Sequence, residues 1–224
     1  MKIPCIILAR KNSKGVKNKN LKKINNKSLI EITIDFLKKT KNITDIVVST
    51  DDNKIANISK RKNCFTIFPR PKKLSNDRAT TEIALKHALK IYEETNGKTN
   101  ITCYVQVTEP NRPKKIMDKC IKILLKNEKI DSCFAAFAQK KNFWISDKKL
   151  LKRLSPYKDR SKPRQIKSYI FREDTGVALA TRSKFIRAGE RIGKRVTCVP
   201  YEDFQYNIDI NHIEDLKFAK KIMK

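Results

Sequence analysis

Short apolar runs alternate with stretches of helical periodicity from one end of this chain to the other, and that alternation leaves few folds open. Ile3 to Ala9 and Asp45 to Thr50 read as buried strands, followed by Phe65 to Phe68, Ile101 to Val107, Ser132 to Ala138, Gly176 to Thr181 and Arg195 to Val199. Between them lie helical patterns. Ser28 and Glu31 form a capping box ahead of the apolar face Leu29, Ile32, Thr33, Phe36 and Leu37. Further helices are expected over Asn53 to Arg61 and Thr81 to Glu94. Another starts at Pro113, whose missing N–H suits a first helical position, with Ile116, Met117, Cys120, Ile121, Leu124 and Leu125 on its face. A last helix begins near Asn211, an N-cap with Glu214 three residues on. Strand and helix in this order predict a single α/β domain, a mostly parallel sheet with helices on both faces. In such sheets ligands bind beyond the carboxyl ends of the strands. Residues 139–168, polar and proline-containing, are too long for an ordinary connection and read as a flap or dimerisation segment.

The formal charge of +29 raises the question of a nucleic-acid partner. The lysines fall singly and in pairs along the whole chain, so the expectation is a solvated basic surface that attracts anionic substrates. A nucleic-acid-binding protein is the rival reading from another class. Cys5, Cys64, Cys103, Cys120, Cys133 and Cys198 contain no C-x-x-C pair and read as small buried hydrophobes in a reducing compartment. With only His87 and His212 present, a histidine-rich metal centre is excluded. No apolar run approaches the roughly 20 residues of a membrane span. The first apolar run is expected to be a buried strand instead of a signal peptide, and the compartment is read as cytoplasmic.

The loop after the first strand, Leu8-Ala9-Arg10-Lys11-Asn12-Ser13-Lys14-Gly15-Val16-Lys17-Asn18-Lys19-Asn20, sets Arg10, Lys14 and Lys19 beside a glycine and a hydroxyl. Its donors suit phosphates, although it matches neither the P-loop nor the G-x-G-x-x-G pattern; on composition alone it is a phosphate site or simply a basic loop. The order of residues says more: L-A-R-x-x-S-K-G-V-x-x-K-N resembles the nucleotide-binding signature of the acylneuraminate cytidylyltransferases (CMP-sialic acid synthetases). The resemblance continues in register through Val47 to Asp52 and through Arg70-Pro71 with Leu74, Asp77 and Thr80-Thr81. It goes on through Gln106 to Arg112, Pro163-Arg164-Gln165, Thr175-Gly176, and Ile208-Asp209-Ile210 with Glu214-Asp215-Leu216.

This resemblance implies a three-layer α/β/α nucleotidyltransferase (Rossmann-like) fold, a homodimer, and transfer of CMP from CTP to an acidic sugar with Mg²⁺. By position, Ala9, Asn20, Arg70 and Thr81 would contact cytosine and ribose. Arg10, Ser13, Lys14 and Lys19 would hold the triphosphate, and Gln106 and Arg164 would face the sugar. Asp209 would anchor the metal, with Arg10 and Lys19 neutralising charge as the α-phosphorus is attacked. The chain departs from the family pattern at Asn211, where a second aspartate is common; Asn keeps an oxygen for the metal but loses a charge. Glu109 also departs, and is expected to face away from an acidic sugar or to bind a hydroxyl. Sialic, legionaminic, pseudaminic and other acidic 3-deoxy sugars all fit, and another nucleotide or a non-acidic sugar is the alternative within the fold.

Overall fold

The computed structural model describes residues 1–11, 15–148 and 150–223. In chain order its strands are β1 (Pro4–Ala9), β2 (Lys23–Ile24), β3 (Lys27–Ser28), β4 (Asp45–Thr50), β5 (Phe65–Ile67), β6 (Ile101–Val105), β7 (Ser132–Gln139), β8 (Trp144–Asp147), β9 (Leu150–Arg153), β10 (Ile170–Glu173), β11 (Leu179–Arg182) and β12 (Val196–Tyr201). The helices are α1 (Leu29–Lys38), α2 (Asn53–Arg61), α3 (Thr81–Asn96), α4 (Ile116–Lys126), α5 (Ser183–Ala188) and α6 (Ile213–Ile222).

Period-two burial along β1 shows why three layers form. Cys5, Ile7 and Ala9 face one core with Leu29, Ile30 and Ile34 of α1, Met117, Cys120 and Ile121 of α4, and Leu216 and Ala219 of α6. Ile6, between them, faces the opposite core with Leu85, Ala88, Leu89 and Tyr92 of α3 and Ile186 of α5. Both faces of the strand are therefore apolar, as a sheet covered on both sides requires. Leu85 and Leu89 are fully buried, worth about 1.5–3 kcal/mol each relative to exposure. The Tyr92 hydroxyl, at the end of that apolar face, donates to Asp45 Oδ2 at 2.7 Å, so its polar tip is satisfied.

The sheet is mixed, with parallel pairs in the majority as expected. Strands β5, β4, β1 and β6 run parallel, and β12 runs parallel to β7. Between these two groups β11 is antiparallel to both β6 and β7, and β10 is antiparallel to β7. β10 and β11 act as one interrupted strand: Glu173 pairs with Ala136 and Leu179 with Phe134. While β7 advances through Ala135, its partner loops through residues 174–178, carrying Gly176 over the end of β6. There the Gln106 N–H donates to the Gly176 carbonyl at 2.8 Å. Hydrophobic alternation cannot distinguish such an antiparallel insertion from another crossover strand.

Two helix starts also move. The Ser28–Glu31 capping box forms as expected, with Ser28 N–H donating to Glu31 Oε2 at 2.9 Å. Helix α4, however, starts at Ile116, after a turn in which Ile116 N–H reaches Pro113 O and Lys115 takes a positive φ of 61°. The preceding Arg112 is buried and donates through Nε to Val177 O at 3.1 Å, which draws the chain inward before the helix begins. Helix α6 starts at Ile213 with His212, not Asn211, as its N-cap. Asp215 Oδ2 accepts the Asn211 and His212 N–H groups at 2.8 and 2.7 Å. Residues 139–168 contain the β8–β9 ribbon, whose register pairs Trp144 with Arg153.

Candidate active site

A cavity of about 510 Å³ opens beyond the carboxyl ends of β1 and β6. Arg10, Lys19, Asn20, Arg70, Thr81, Gln106 and Asn211, distant in sequence, all line it. Ala9 is fully buried at the end of β1, between Leu8 and Arg10, and does not itself line the cavity. Ser13 and Lys14 lie outside the described residues. Tyr104, on β6, also lines the cavity; burial pushes its phenol up to about 12, so it stays neutral. Sequence reasoning missed Tyr104 because a tyrosine inside an apolar strand reads as core.

The cations around this cavity are held by hydrogen bonds. Arg10 Nη1 donates to Asp77 Oδ1 at 2.8 Å and to Asn76 O at 3.3 Å. Asn20 Nδ2 donates to Arg10 O at 3.0 Å, fastening the returning loop to the end of β1. Arg70, 4% exposed, donates through Nε to Ser75 Oγ at 3.1 Å, with Asp51 3.9 Å from Nη2. Burial lowers its pKa, partly offset by Asp51. Lys19, 8% exposed, donates to Ile210 O at 2.5 Å and to Asn211 Oδ1 at 3.1 Å. Burial lowers the Lys19 pKa, against the pull of Asp209 and Asp215. Lys19 thus joins the loop after β1 to the segment before α6. Gly15 makes that approach possible, since a Cβ there would lie 2.0 Å from the Asn211 carbonyl oxygen.

Asp209 is exposed and lines a second cavity, of about 410 Å³, with Glu109, Arg172, Gly176 and Arg191. Gln106 lines both cavities. Its carbonyl accepts from Arg112 Nη2, and Thr108 Oγ1 donates to its Oε1 at 3.3 Å. Arg112 itself lies over the Phe36 ring at 5.1 Å, and burial lowers its pKa to about 10. It braces the two loops that carry Gln106 and Val177. Glu109 does not face away: its Oε1 would meet a Cβ on Gly176 at 2.1 Å. Burial pushes its carboxyl up to about 8; Arg112 opposes the shift and Asp209 and Asp174 add to it. Arg164 is not brought to Gln106; it lines a third cavity, of about 340 Å³, with Lys140, Gln165 and Tyr169.

For a divalent cation, the relevant carboxylate is Asp209. Among the described residues no three His, Cys, Asp or Glu side chains gather as a metal cluster. Mg²⁺ is commonly held by one or two carboxylates together with substrate phosphates, so an exposed Asp209 at the cavity edge fits that donor set. Asn211 fits less well as a ligand. Its Nδ2 donates to Asp209 Oδ2 at 2.8 Å while its Oδ1 is taken by Lys19, so it orients the carboxylate and shares its oxygen with an ammonium.

A family model described as cytidylyltransferase matches residues 4–223. The chain belongs to the cytidylyltransferase family. CTP is the co-substrate of this enzyme class. This cytidylyltransferase is 27% identical over 230 residues to the pseudaminic acid cytidylyltransferase of Campylobacter jejuni, covering all of this chain and 97% of that protein. It is 39% identical over 92 residues to the CMP-N,N'-diacetyllegionaminic acid synthase of the same species, a match spanning 41% of this chain and 39% of that one. In fold it is similar to a CMP:2-keto-3-deoxy-manno-octonic acid synthetase complexed with CTP. The TM-score is 0.68 at 15% identity, covering 100% of this chain and 98% of that one. A 4-diphosphocytidyl-2C-methyl-D-erythritol synthase from Anaerococcus prevotii also gives a TM-score of 0.68, at 18% identity, with 99% and 96% covered.

Proposed function

We propose that this cytidylyltransferase transfers CMP from CTP to the anomeric hydroxyl of an acidic nonulosonate sugar of the pseudaminic, legionaminic or sialic acid type, releasing pyrophosphate. The observation that carries the reading is that Gln106 lines two adjoining cavities, one walled by Arg10, Lys19 and Arg70, the other by Arg191 and by Arg172, which Asp174 holds. The first suits the nucleotide triphosphate and the second the acidic acceptor, so the reactants meet at Gln106.

Positioning and charge neutralisation carry this kind of transfer. The acceptor hydroxyl attacks the α-phosphorus in line and its proton leaves to solvent, while the bond to the β,γ-pyrophosphate breaks. Arg10 and Lys19 face the triphosphate and offset the charge that moves onto the departing pyrophosphate. Asn20, Arg70 and Thr81 are placed for the nucleoside, with Ala9 buried beside Arg10 at the end of β1. Asp209 would hold a Mg²⁺ ion, which would supply positive charge toward the phosphates. Asn211 then orients Asp209 more than it ligates.

We assign the protein to the cytoplasm; the six free cysteines support a reducing compartment. Among the described residues no helix is long and apolar enough to cross a membrane. The β8–β9 ribbon exposes Trp144, Ile145, Leu150 and Leu151, which supports a homodimer formed through residues 139–168. We assign no nucleic-acid partner, because the basic residues are spread along the whole chain.

The test is pyrophosphate release from CTP and Mg²⁺ with a panel of acidic nonulosonates, repeated with UTP, GTP and ATP. Release with CTP and at least one acidic sugar is expected. Equal use of all four nucleotides, or release with none of the sugars, overturns the reading.

A further inference from the structure

Glu109 is the acidic neighbour that offsets the charge of the buried Arg112, but no hydrogen bond joins the two. It follows β6 and turns into the second cavity, against Gly176 and Gln106. A Cβ on Gly176 would lie 2.1 Å from Glu109 Oε1, 2.8 Å from its Cδ and 3.0 Å from Gln106 Cδ. Only a residue without a side chain leaves room for the carboxyl to enter. Among the described residues no hydrogen-bond donor reaches that carboxyl, although Arg112 lies close enough to influence it. A half-buried carboxyl that faces a cavity without a hydrogen-bond partner of its own is placed to bind a polar group that arrives with the substrate.

The other side chains of this cavity identify that partner's chemistry. Arg172 is occupied, donating to Asp174 at 2.7 and 2.9 Å and to Asn207 at 2.6 Å. Arg191 is held more loosely, in ion pairs with Glu82 at 3.6 Å and Glu173 at 3.7 Å, and its buried Nε makes no hydrogen bond. An acidic sugar needs a cation for its carboxylate and acceptors for its hydroxyl and amide hydrogens. Arg191 can supply the first and Glu109 the second.

We propose that Glu109 sets acceptor specificity, taking a hydrogen bond from a hydroxyl or acylamino N–H of the sugar while Arg191 receives the sugar's carboxylate. This inference rests on the reading of the second cavity as the acceptor site. A site built to hydrogen-bond a substrate group discriminates strongly against acceptors that lack it, because its own polar group is then left unpaired.

The experiment compares wild type with Glu109→Leu and Glu109→Gln on acidic sugars that differ in hydroxyl and acylamino substitution. It measures kcat and KM for each acceptor, calorimetric CTP affinity and thermal melting. Glu109→Leu should raise the acceptor KM at least about tenfold and level the preference among acceptors, with CTP affinity within about twofold of wild type. Both variants remove the acidic group beside the buried Arg112 and should melt lower than wild type, so the acceptor ranking, not the melting temperature, reports the specificity role. Glu109→Gln, which keeps a carbonyl acceptor, should preserve the ranking of acceptors and lose severalfold less. Glu109→Leu with unchanged KM values and ranking overturns the inference while leaving the function standing. A wild-type enzyme that binds CTP but transfers to no acidic sugar overturns both.

Discussion

Replacing Gly15 with alanine should disable the enzyme without unfolding it. The added Cβ would lie 2.0 Å from the Asn211 carbonyl oxygen and 3.2 Å from its carbon, about 1.4 Å short of ordinary contact with the oxygen. The obstacle is backbone, and that backbone is fixed: Ile210 N–H donates to Thr108 O at 2.8 Å, and Asp215 holds the Asn211 and His212 amides. Either the loop bearing Gly15 or the Asp209–His212 segment must shift by roughly an ångström. A misplacement of that size in a site that works by positioning costs about 100-fold, so kcat/KM for pyrophosphate release should fall about that much. The control is Gly97→Ala. Nothing lies within 4 Å of a Cβ at Gly97, but its φ of +79° strains any other residue. That strain costs on the order of 1–2 kcal/mol, and melting should fall by about 2–4 °C for each kcal/mol with kcat/KM unchanged. The assay is steady-state pyrophosphate release beside thermal melting for both variants. A Gly15→Ala enzyme within about threefold of wild-type kcat/KM would refute the argument that the contact between the loop after β1 and the segment before α6 builds the site.

Lys19→Met removes the ammonium that joins Ile210 O and Asn211 Oδ1; CTP affinity by calorimetry should weaken at least about tenfold, and unchanged affinity would exclude Lys19 from the phosphate site. For Glu109 the folded pKa of about 8 lies above its ordinary 4.5, so its contribution to stability is complete below about pH 4.5 and is lost as pH rises through about 8. The charges that act on it are Arg112, Asp209, Asp174 and Arg172. Urea unfolding of the metal-free protein should show wild type losing up to about 1.4 kcal/mol per pH unit relative to Glu109→Gln across that window, and parallel curves would contradict the assignment. Arg182 donates to Leu124, Asn127 and Ile130 carbonyls, so Arg182→Met should cost about 1–3 kcal/mol in urea unfolding and leave kcat unchanged.

Local patterns fixed much of this protein in advance. The apolar runs in Pro4–Ala9 and Asp45–Thr50, the Ser28–Glu31 cap and the helical spacing of Thr81–Asn96 specify elements, because each depends on neighbours a few residues away. The ordered motif from Leu8 to Asn20 and its later companions specified the family, and placed Arg10, Lys19, Arg70 and Gln106 as candidates before any contact was known. What local pattern did not carry was decided by long-range packing. The antiparallel insertion of β10 and β11 depends on which strand edges meet, and period-two burial looks the same in either direction. Asn211 looked like a cap because of Glu214, yet its side chain serves Lys19 and Asp209, while Asp215 and His212 begin the helix. The inward turn of Glu109 required knowing that Gly176, carried over by the break between β10 and β11, would stand beside it. Sequence spacing determines elements because backbone periodicity is local. The site depended on tertiary structure because its residues meet only where separate strands end.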